Sequence, residues 1–241
     1  LGDEFPILPK VEKENKFKIS SNELKQMIRQ TIFSVSITDT KPILTGELFE
    51  IENNKLNIVA VDSFRVSLRS SNLNTNLTFS FVIPSKSLNE ISKILPSNDT
   101  EILIYFTEKH VLIETSECKI ISTLLEGEFL KYKQILTDDY STIIYIDKNQ
   151  ILASLERASL VSNNSKKAPV KIAIKNDCLI ITSETEFGTF YDEIMVEMEG
   201  NDLEIAFNPK YIIDAIKVIE EDKISIQFTT SLSPCIIKGL G

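Results

Sequence analysis

Phe17-Lys18-Ile19-Ser20-Ser21-Asn22-Glu23-Leu24 returns about 127 residues later as Ile144-Tyr145-Ile146-Asp147-Lys148-Asn149-Gln150-Ile151. In both copies two apolar residues alternate like a short strand, a Ser or Asp able to cap a helix follows, and an apolar residue four positions on opens a helical stripe. Further along, Leu56 with Asp62-Ser63-Phe64 returns as Leu179 with Thr185-Glu186-Phe187. Phe81-Val82-Ile83-Pro84-Ser85-Lys86 returns as Ile205-Ala206-Phe207-Asn208-Pro209-Lys210, and Ile102 to Phe106 as Ile224 to Phe228. The offset drifts only from about 127 to about 122. A period this long means duplicated domains, since solenoid repeats run about 20–50 residues. Domains joined in line imply a curved or ring-shaped assembly and a binding surface rather than one catalytic cleft.

Each copy reads as strand, helix, antiparallel strands, helix and further strands. Ser20 with Glu23 three residues on has the capping-box pattern, and Leu24, Met27, Ile28, Thr31 and Ile32 give the helical stripe. Asp147 and Gln150 repeat it before Ile151, Leu152, Leu155, Ala158 and Leu160. Asn53-Asn54 and Asn176-Asp177 are hairpin signals between alternating runs. Second helices are expected over Ser85 to Leu95 and over Pro209 to Ile219, the latter capped by Asn208 with Pro at its first position. With one apolar face per helix, the fold class is α+β: tandem domains, each with two helices packed on antiparallel sheets.

The divisions expected are 1–16, a linker carrying Pro6 and Pro9; 17–143, the first module; and 144–241, the second. Leu1-Gly2-Asp3-Glu4-Phe5 echoes Leu125-Glu126-Gly127-Glu128-Phe129, so the chain reads as beginning in the tail of an earlier copy. The second module ends without a counterpart of Ile120 to Leu136. Three copies in a parent protein is the economical expectation.

Composition excludes several classes. At 241 residues and 42% hydrophobic, the chain can fill two cores, and no apolar run reaches the roughly 18 residues of a membrane span. Cys118, Cys178 and Cys235 are odd in number and widely spaced, which speaks against a disulfide framework and for a cytoplasmic protein. One histidine, His110, and three scattered cysteines cannot supply a zinc site. Seven glycines form no phosphate-cradling loop, so neither metal nor cofactor is expected. Abundant carboxylates leave a paired acid/base site open, but none stand out, and a non-catalytic protein is expected.

The net charge of −9 opposes a general grip on nucleic acid, yet distribution decides. Lys86 and Lys93 share one helix face, Lys210 and Lys217 repeat that placement, and Lys25 and Arg29 share a face of the first helix. A basic face offered repeatedly to an extended polyanion and an ordinary solvated helix face both fit this pattern. Arg65, in the turn Val61 to Val66, has no arginine at its repeat position.

Ala60-Val61-Asp62-Ser63-Phe64-Arg65-Val66, the set Gly127, Phe129, Tyr132, Ile135 and Leu136, and the set Phe207, Asn208 and Tyr211 stand in the order and spacing of three family signatures. In them the chain resembles the bacterial sliding clamp, the beta subunit of DNA polymerase III, over essentially its whole length and in the second and third of that family's three domains. The resemblance implies tandem DNA-clamp domains and a homodimeric ring, closed head to tail around duplex DNA without regard to its sequence. It implies a processivity factor, a non-catalytic subunit of the holoenzyme that tethers the replicative polymerase. Partners would be the polymerase catalytic subunit, the clamp loader and other proteins with clamp-binding motifs. The DNA-facing set would be Lys25, Arg29, Lys86, Lys93, Lys210 and Lys217. The peptide pocket would be walled by Leu44, Val61, Phe64, Arg65, Val66, Leu130, Ile135, Asn208, Tyr211, Leu232 and Pro234, with Arg65 and Asn208 as polar handles. Leu130, Gln134 and Pro234 depart from residues common in the family. Without a first domain this stretch is expected to be monomeric, and the alternative is a truncated clamp-like peptide-binding module that does not encircle DNA.

Overall fold

Asn53, Asn54, Asn176 and Asp177 all have positive φ, at 53°, 61°, 51° and 56°. Two consecutive left-handed residues make the type I′ turn whose twist matches that of paired strands, and Asn and Asp tolerate it best after glycine. They bring Glu52 opposite Lys55 and Lys175 opposite Cys178, so each duplicated hairpin is locked at the same step. The computed structural model describes residues 9, 11–38, 40–136, 139–163, 169–186 and 188–241. The echo at Leu1 to Phe5 and the repeat residue Phe187 lie outside them.

Contacts divide the chain into two units, Leu1–Lys131 and Tyr132–Gly241. The first runs β1 (Asn15–Ser20), α1 (Ser21–Thr31), β2 (Gly46–Glu52), β3 (Lys55–Val61), β4 (Val66–Asn72), β5 (Phe79–Pro84), α2 (Ser85–Ile94), β6 (Glu101–Phe106), β7 (His110–Glu114) and β8 (Lys119–Thr123). The second runs β9 (Thr142–Asp147), α3 (Lys148–Asn163), β10 (Val170–Lys175), β11 (Cys178–Thr185), β12 (Gly188–Met195), β13 (Glu197–Gly200), β14 (Leu203–Phe207), α4 (Pro209–Val218), β15 (Lys223–Phe228) and β16 (Ile236–Gly239). Unit 1 holds the antiparallel sheets β1-β6-β7-β8 and β4-β3-β2-β5; unit 2 holds β13-β9-β15-β16 and β12-β11-β10-β14. The fold is α+β, with two helices on two sheets in each unit.

Local chemistry accounts for the helix starts. Ser20 Oγ accepts from the Glu23 N–H at 3.5 Å, Asp147 Oδ1 from the Gln150 N–H at 3.0 Å, and Asn208 Oδ1 from the Lys210 N–H at 3.0 Å. Such caps satisfy donors that the helix itself cannot. Glu23 does not complete the reciprocal half of a capping box; its carboxylate accepts from Ser71 Oγ instead. Inside unit 1, Phe17, Phe49, Phe79, Phe81 and Phe106 form a ring cluster, with Phe106 centred 4.8 Å from Phe79 and 5.0 Å from Phe81. Unit 2 packs Ile144, Ile146, Ile172, Ile174, Ile181, Ile224 and Ile226 around Phe228.

Two of the expected divisions meet ordered structure. The boundary drawn at residues 143 and 144 falls inside β9, and the stretch before that strand is tied into unit 2. Ser141 N and Oγ donate to Phe228 O and Thr229 O, and Thr229 Oγ1 donates to Asp139 O. The expected linker is structured over its last residues. Val11 packs with Tyr105 and Leu112, and Lys13 lies 2.7 Å from Glu114 and over the Tyr105 ring. Bonds from Lys119 and Lys13 hold the Glu114 carboxyl far down, to about 2.

Candidate functional site

The turn from β3 to β4 carries four of the expected wall residues of unit 1. Val61 and Val66 pair across it. Asp62 builds the turn: its Oδ1 accepts from the Phe64 and Arg65 N–H groups at 2.7 and 3.0 Å, and its Oδ2 accepts from Arg65 Nε at 3.0 Å. Arg65 Nη2 donates to Phe33 O at 2.5 Å, with the guanidinium 5.2 Å from the centre of the Phe33 ring. Arg65, expected as a handle for a peptide, braces the turn here, with its side chain 17% exposed. What the brace presents is Phe64, 74% exposed at the tip. Val66 is half-buried and Leu130 exposed, whereas Leu44 and Val61 are buried and serve as packing.

Unit 2 gathers Ile135 and Pro234 at a cleft of about 190 Å³, completed by Tyr140, Gln227, Thr229 and Ile236 among others. Leu232 stands in the loop between β15 and β16 and is 95% exposed. It is held there by a side-chain turn in which Thr230 Oγ1 accepts from the Leu232 N–H at 3.2 Å and lies 2.7 Å from Ser233 Oγ. Asn208 caps α4, Tyr211 lies in its first turn, and neither is among the cleft's lining residues. The Asn208 carbonyl side of the amide is spent on the cap, so only its Nδ2 is left to donate.

The expected DNA-facing cations all lie on helices, and most are engaged. Lys25 Nζ donates to Leu95 O at 3.4 Å and Ser97 Oγ at 3.0 Å, which ties α1 to the end of α2. Lys93 pairs with Glu90 at 2.8 Å, Lys210 with Asp214 at 2.8 Å, and Lys217 with Glu156 of α3 at 2.7 Å. Lys86 and Arg29 are exposed, and among the described residues Lys86 has no ion pair. Exposed pairs of this kind contribute about 0–1 kcal/mol, so a phosphate can displace them.

Residues 18–131 match the family described as DNA polymerase III beta subunit, central domain, and residues 133–241 match its C-terminal domain. The chain belongs to the DNA polymerase III beta subunit family. It is 35% identical over 242 residues to the beta sliding clamp of Bacillus subtilis, covering 98% of this chain and 64% of that protein. The solved structure of the Bacillus subtilis sliding clamp superposes with a TM-score of 0.95 at 36% identity over 98% of this chain and 64% of that one. A beta subunit structure from Eubacterium rectale gives 0.94 at 37% identity, covering 98% and 65%. The chain thus spans a little under two thirds of the length of these relatives.

Family membership directs attention to residues that the sequence did not single out. Phe33 holds Arg65 together with Asp62, and nothing in the sequence pointed to Phe33. Glu47, next to the wall at the start of β2, is fully buried with Oε2 unpartnered. Burial raises its carboxyl to about 8, opposed only in part by the bond from Thr31. Thr31 Oγ1 lies 2.8 Å from Glu47 Oε1 and 2.8 Å from Met27 O. One hydroxyl proton serves only one of them, and a protonated Glu47 supplies the other. No group of three or more potential metal ligands is found among the described residues. No helix among them is long and apolar enough to cross a membrane.

Proposed function

We propose that this chain is the central and C-terminal part of a sliding clamp for DNA polymerase III. It would form part of a ring around duplex DNA and tether the replicative polymerase through an apolar peptide site. The observation that carries the reading is the match of two family domains, in order, over residues 18–131 and 133–241. The role calls for binding and no chemical step. Tethering converts a weak encounter into a high effective concentration of polymerase at the primer end. Taken separately, unit 1 offers the braced, exposed Phe64, and unit 2 offers exposed Leu232 and the cleft lined by Ile135 and Pro234, as apolar surface to a peptide. Exposed lysines on α2 and α4, some of them held by displaceable ion pairs, suit a lining that meets phosphates without sequence preference.

Covering about 300 Å² of apolar surface would contribute roughly 7 kcal/mol. Ordering the peptide takes back several kcal/mol, which leaves micromolar affinity or weaker. Calorimetry with a clamp-binding peptide from a polymerase tests this. Val66→Asp places an unpaired carboxylate against the apolar wall and is expected to abolish binding. Arg65→Ala, which loosens the perch of Phe64 without adding a charge, is expected to weaken it by roughly tenfold or less, about 1.4 kcal/mol. Unchanged binding by a folded Val66→Asp protein would move the peptide site elsewhere.

A further inference from the structure

The duplicated helices repeat an acid along with their lysines. Lys86, Glu90 and Lys93 in α2 correspond step for step to Lys210, Asp214 and Lys217 in α4. Residues spaced i, i+4 and i+7 share one helix face, so each face reads plus, minus, plus. Helix stability does not explain it. Lys86 and Lys210 sit in the first turn, where the macrodipole disfavours a cation, and neither helix has an acid there. In α4 the lysine precedes the acid it pairs with, the weaker order for an i,i+4 pair. The neighbouring helices then break the symmetry. Lys25 and Arg29 of α1 occupy the positions that hold Leu152 and Glu156 in α3, and Glu156 reaches Lys217 at 2.7 Å.

We infer that the two units divide the DNA contact unequally: unit 1 grips phosphate, while Asp214 and Glu156 neutralise unit 2 into a lining over which DNA slides. The inference rests on the clamp reading. In unit 2 both lysines of the face are matched by carboxylates. In unit 1, Lys93 of the matching face is likewise paired, with Glu90, but among the described residues Lys86 has no ion pair and Lys25 is bound only to the neutral oxygens of Leu95 and Ser97. A phosphate approaching Lys210 or Lys217 must displace a carboxylate already in place; at Lys25 and Lys86 it meets none. The ligand is duplex DNA of any sequence, because backbone contacts carry no base information.

The test is fluorescence anisotropy of the whole chain with a random-sequence duplex across a salt series. Removing the unit 1 pair, Lys25→Ala with Lys86→Ala, is expected to weaken binding by tenfold or more and to flatten the log–log salt slope by about 2, or about 0.9 per phosphate lost. Removing the unit 2 pair, Lys210→Ala with Lys217→Ala, is expected to change affinity by less than about threefold, the range of an exposed ion pair. Asp214→Asn with Glu156→Gln is expected to tighten binding roughly threefold to tenfold and to steepen the slope, because it releases two lysines. Lys86→Ala alone repeats the first arm without touching the α1–α2 contact. Equal loss from the two lysine pairs, or no gain from the amide variant, overturns the division of labour and leaves DNA binding standing. A parent without salt-dependent binding removes the DNA reading, and the inference with it.

Discussion

Unit 1 fills its interior with rings where unit 2 uses aliphatic side chains at the same positions. Phe17, Phe49, Phe79 and Phe81 stand where Ile144, Ile172, Leu203 and Ile205 stand, and of the five only Phe106 is kept, as Phe228. The polar interior differs likewise: Thr31 and Glu47 of unit 1 correspond to Ala158 and Val170 of unit 2, and all four are buried. Strand order and register nonetheless agree across β1-β6-β7 and β9-β15-β16, and across β4-β3-β2-β5 and β12-β11-β10-β14. The units share their turns, caps and alternation. A core tolerates wholesale exchange of apolar side chains when volume and pattern are kept, and what it loses or gains is stability and uniqueness. Architecture here is carried by local chemistry, while the interior tunes each unit separately.

The hardest test of that separation is the one ring the units share. Phe106 touches three other rings, at 6.1 Å from Phe17, 4.8 Å from Phe79 and 5.0 Å from Phe81. Phe228 sits in a core whose other buried members are all aliphatic. Both are essentially buried. Phe106→Ala is expected to cost about 5 kcal/mol and Phe228→Ala about 3 kcal/mol, the excess reflecting lost ring–ring contacts. Urea unfolding read by two probes measures both. Equal losses would mean the ring cluster contributes only its area, and the aromatic interior would be no more than a filling.

Next in size is the pair Thr31–Glu47. The carboxyl is raised from its ordinary 4.5 to about 8 by burial. In the unfolded chain it binds its proton less tightly, so the folded form is favoured where the group stays protonated. Its contribution is fully present below about 4.5 and is lost as pH rises through about 8. At roughly 1.4 kcal/mol per pK unit, the swing is on the order of 5 kcal/mol. Burial raises it and the Thr31 bond lowers it, with no charged group contributing among the described residues. Installing the unit 2 pair, Thr31→Ala with Glu47→Val, is expected to flatten this slope. The double variant should be less stable than the parent at pH 5 and at least as stable at pH 9. A parent whose melting temperature does not fall between pH 6 and 9 would show that Glu47 is ionised or hydrated in the folded protein.

These two cases also mark where the sequence was legible. The caps at Ser20, Asp147 and Asn208, the helical stripes and the two hairpin dipeptides were readable because each depends on neighbours within four residues. Glu47 was not: in Gly46 to Glu52 it alternates like any strand residue, and the hydroxyl that partners it, on Thr31, is sixteen positions away. Arg65 looked like a free handle because its brace ends on Phe33, thirty-two positions back. Leu44 and Val61 carried the right apolar character for a groove, but tertiary packing buries both. The acids within α2 and α4 lay at visible spacing; Glu156, which silences Lys217 from another helix, did not.

The smallest effect tests what the units have in common. Asn54 and Asp177 are the second residues of the two type I′ turns, at φ 61° and 56°. Glycine adopts this conformation without the steric penalty of a Cβ. Asn54→Gly and Asp177→Gly are each expected to stabilise by a few tenths of a kcal/mol, up to about 1. Asn54→Val and Asp177→Val should destabilise by about 1–2 kcal/mol, because a β-branched residue fits the left-handed region worst. Under a shared, local code the two units respond alike, within about 0.5 kcal/mol, despite their different interiors. Thermal or urea unfolding of the four variants gives the comparison directly. If the turn in unit 1 proved insensitive while that in unit 2 responded, the ring cluster rather than the turn would be holding register in β2 and β3. The duplicated hairpins would then owe their likeness to two different causes.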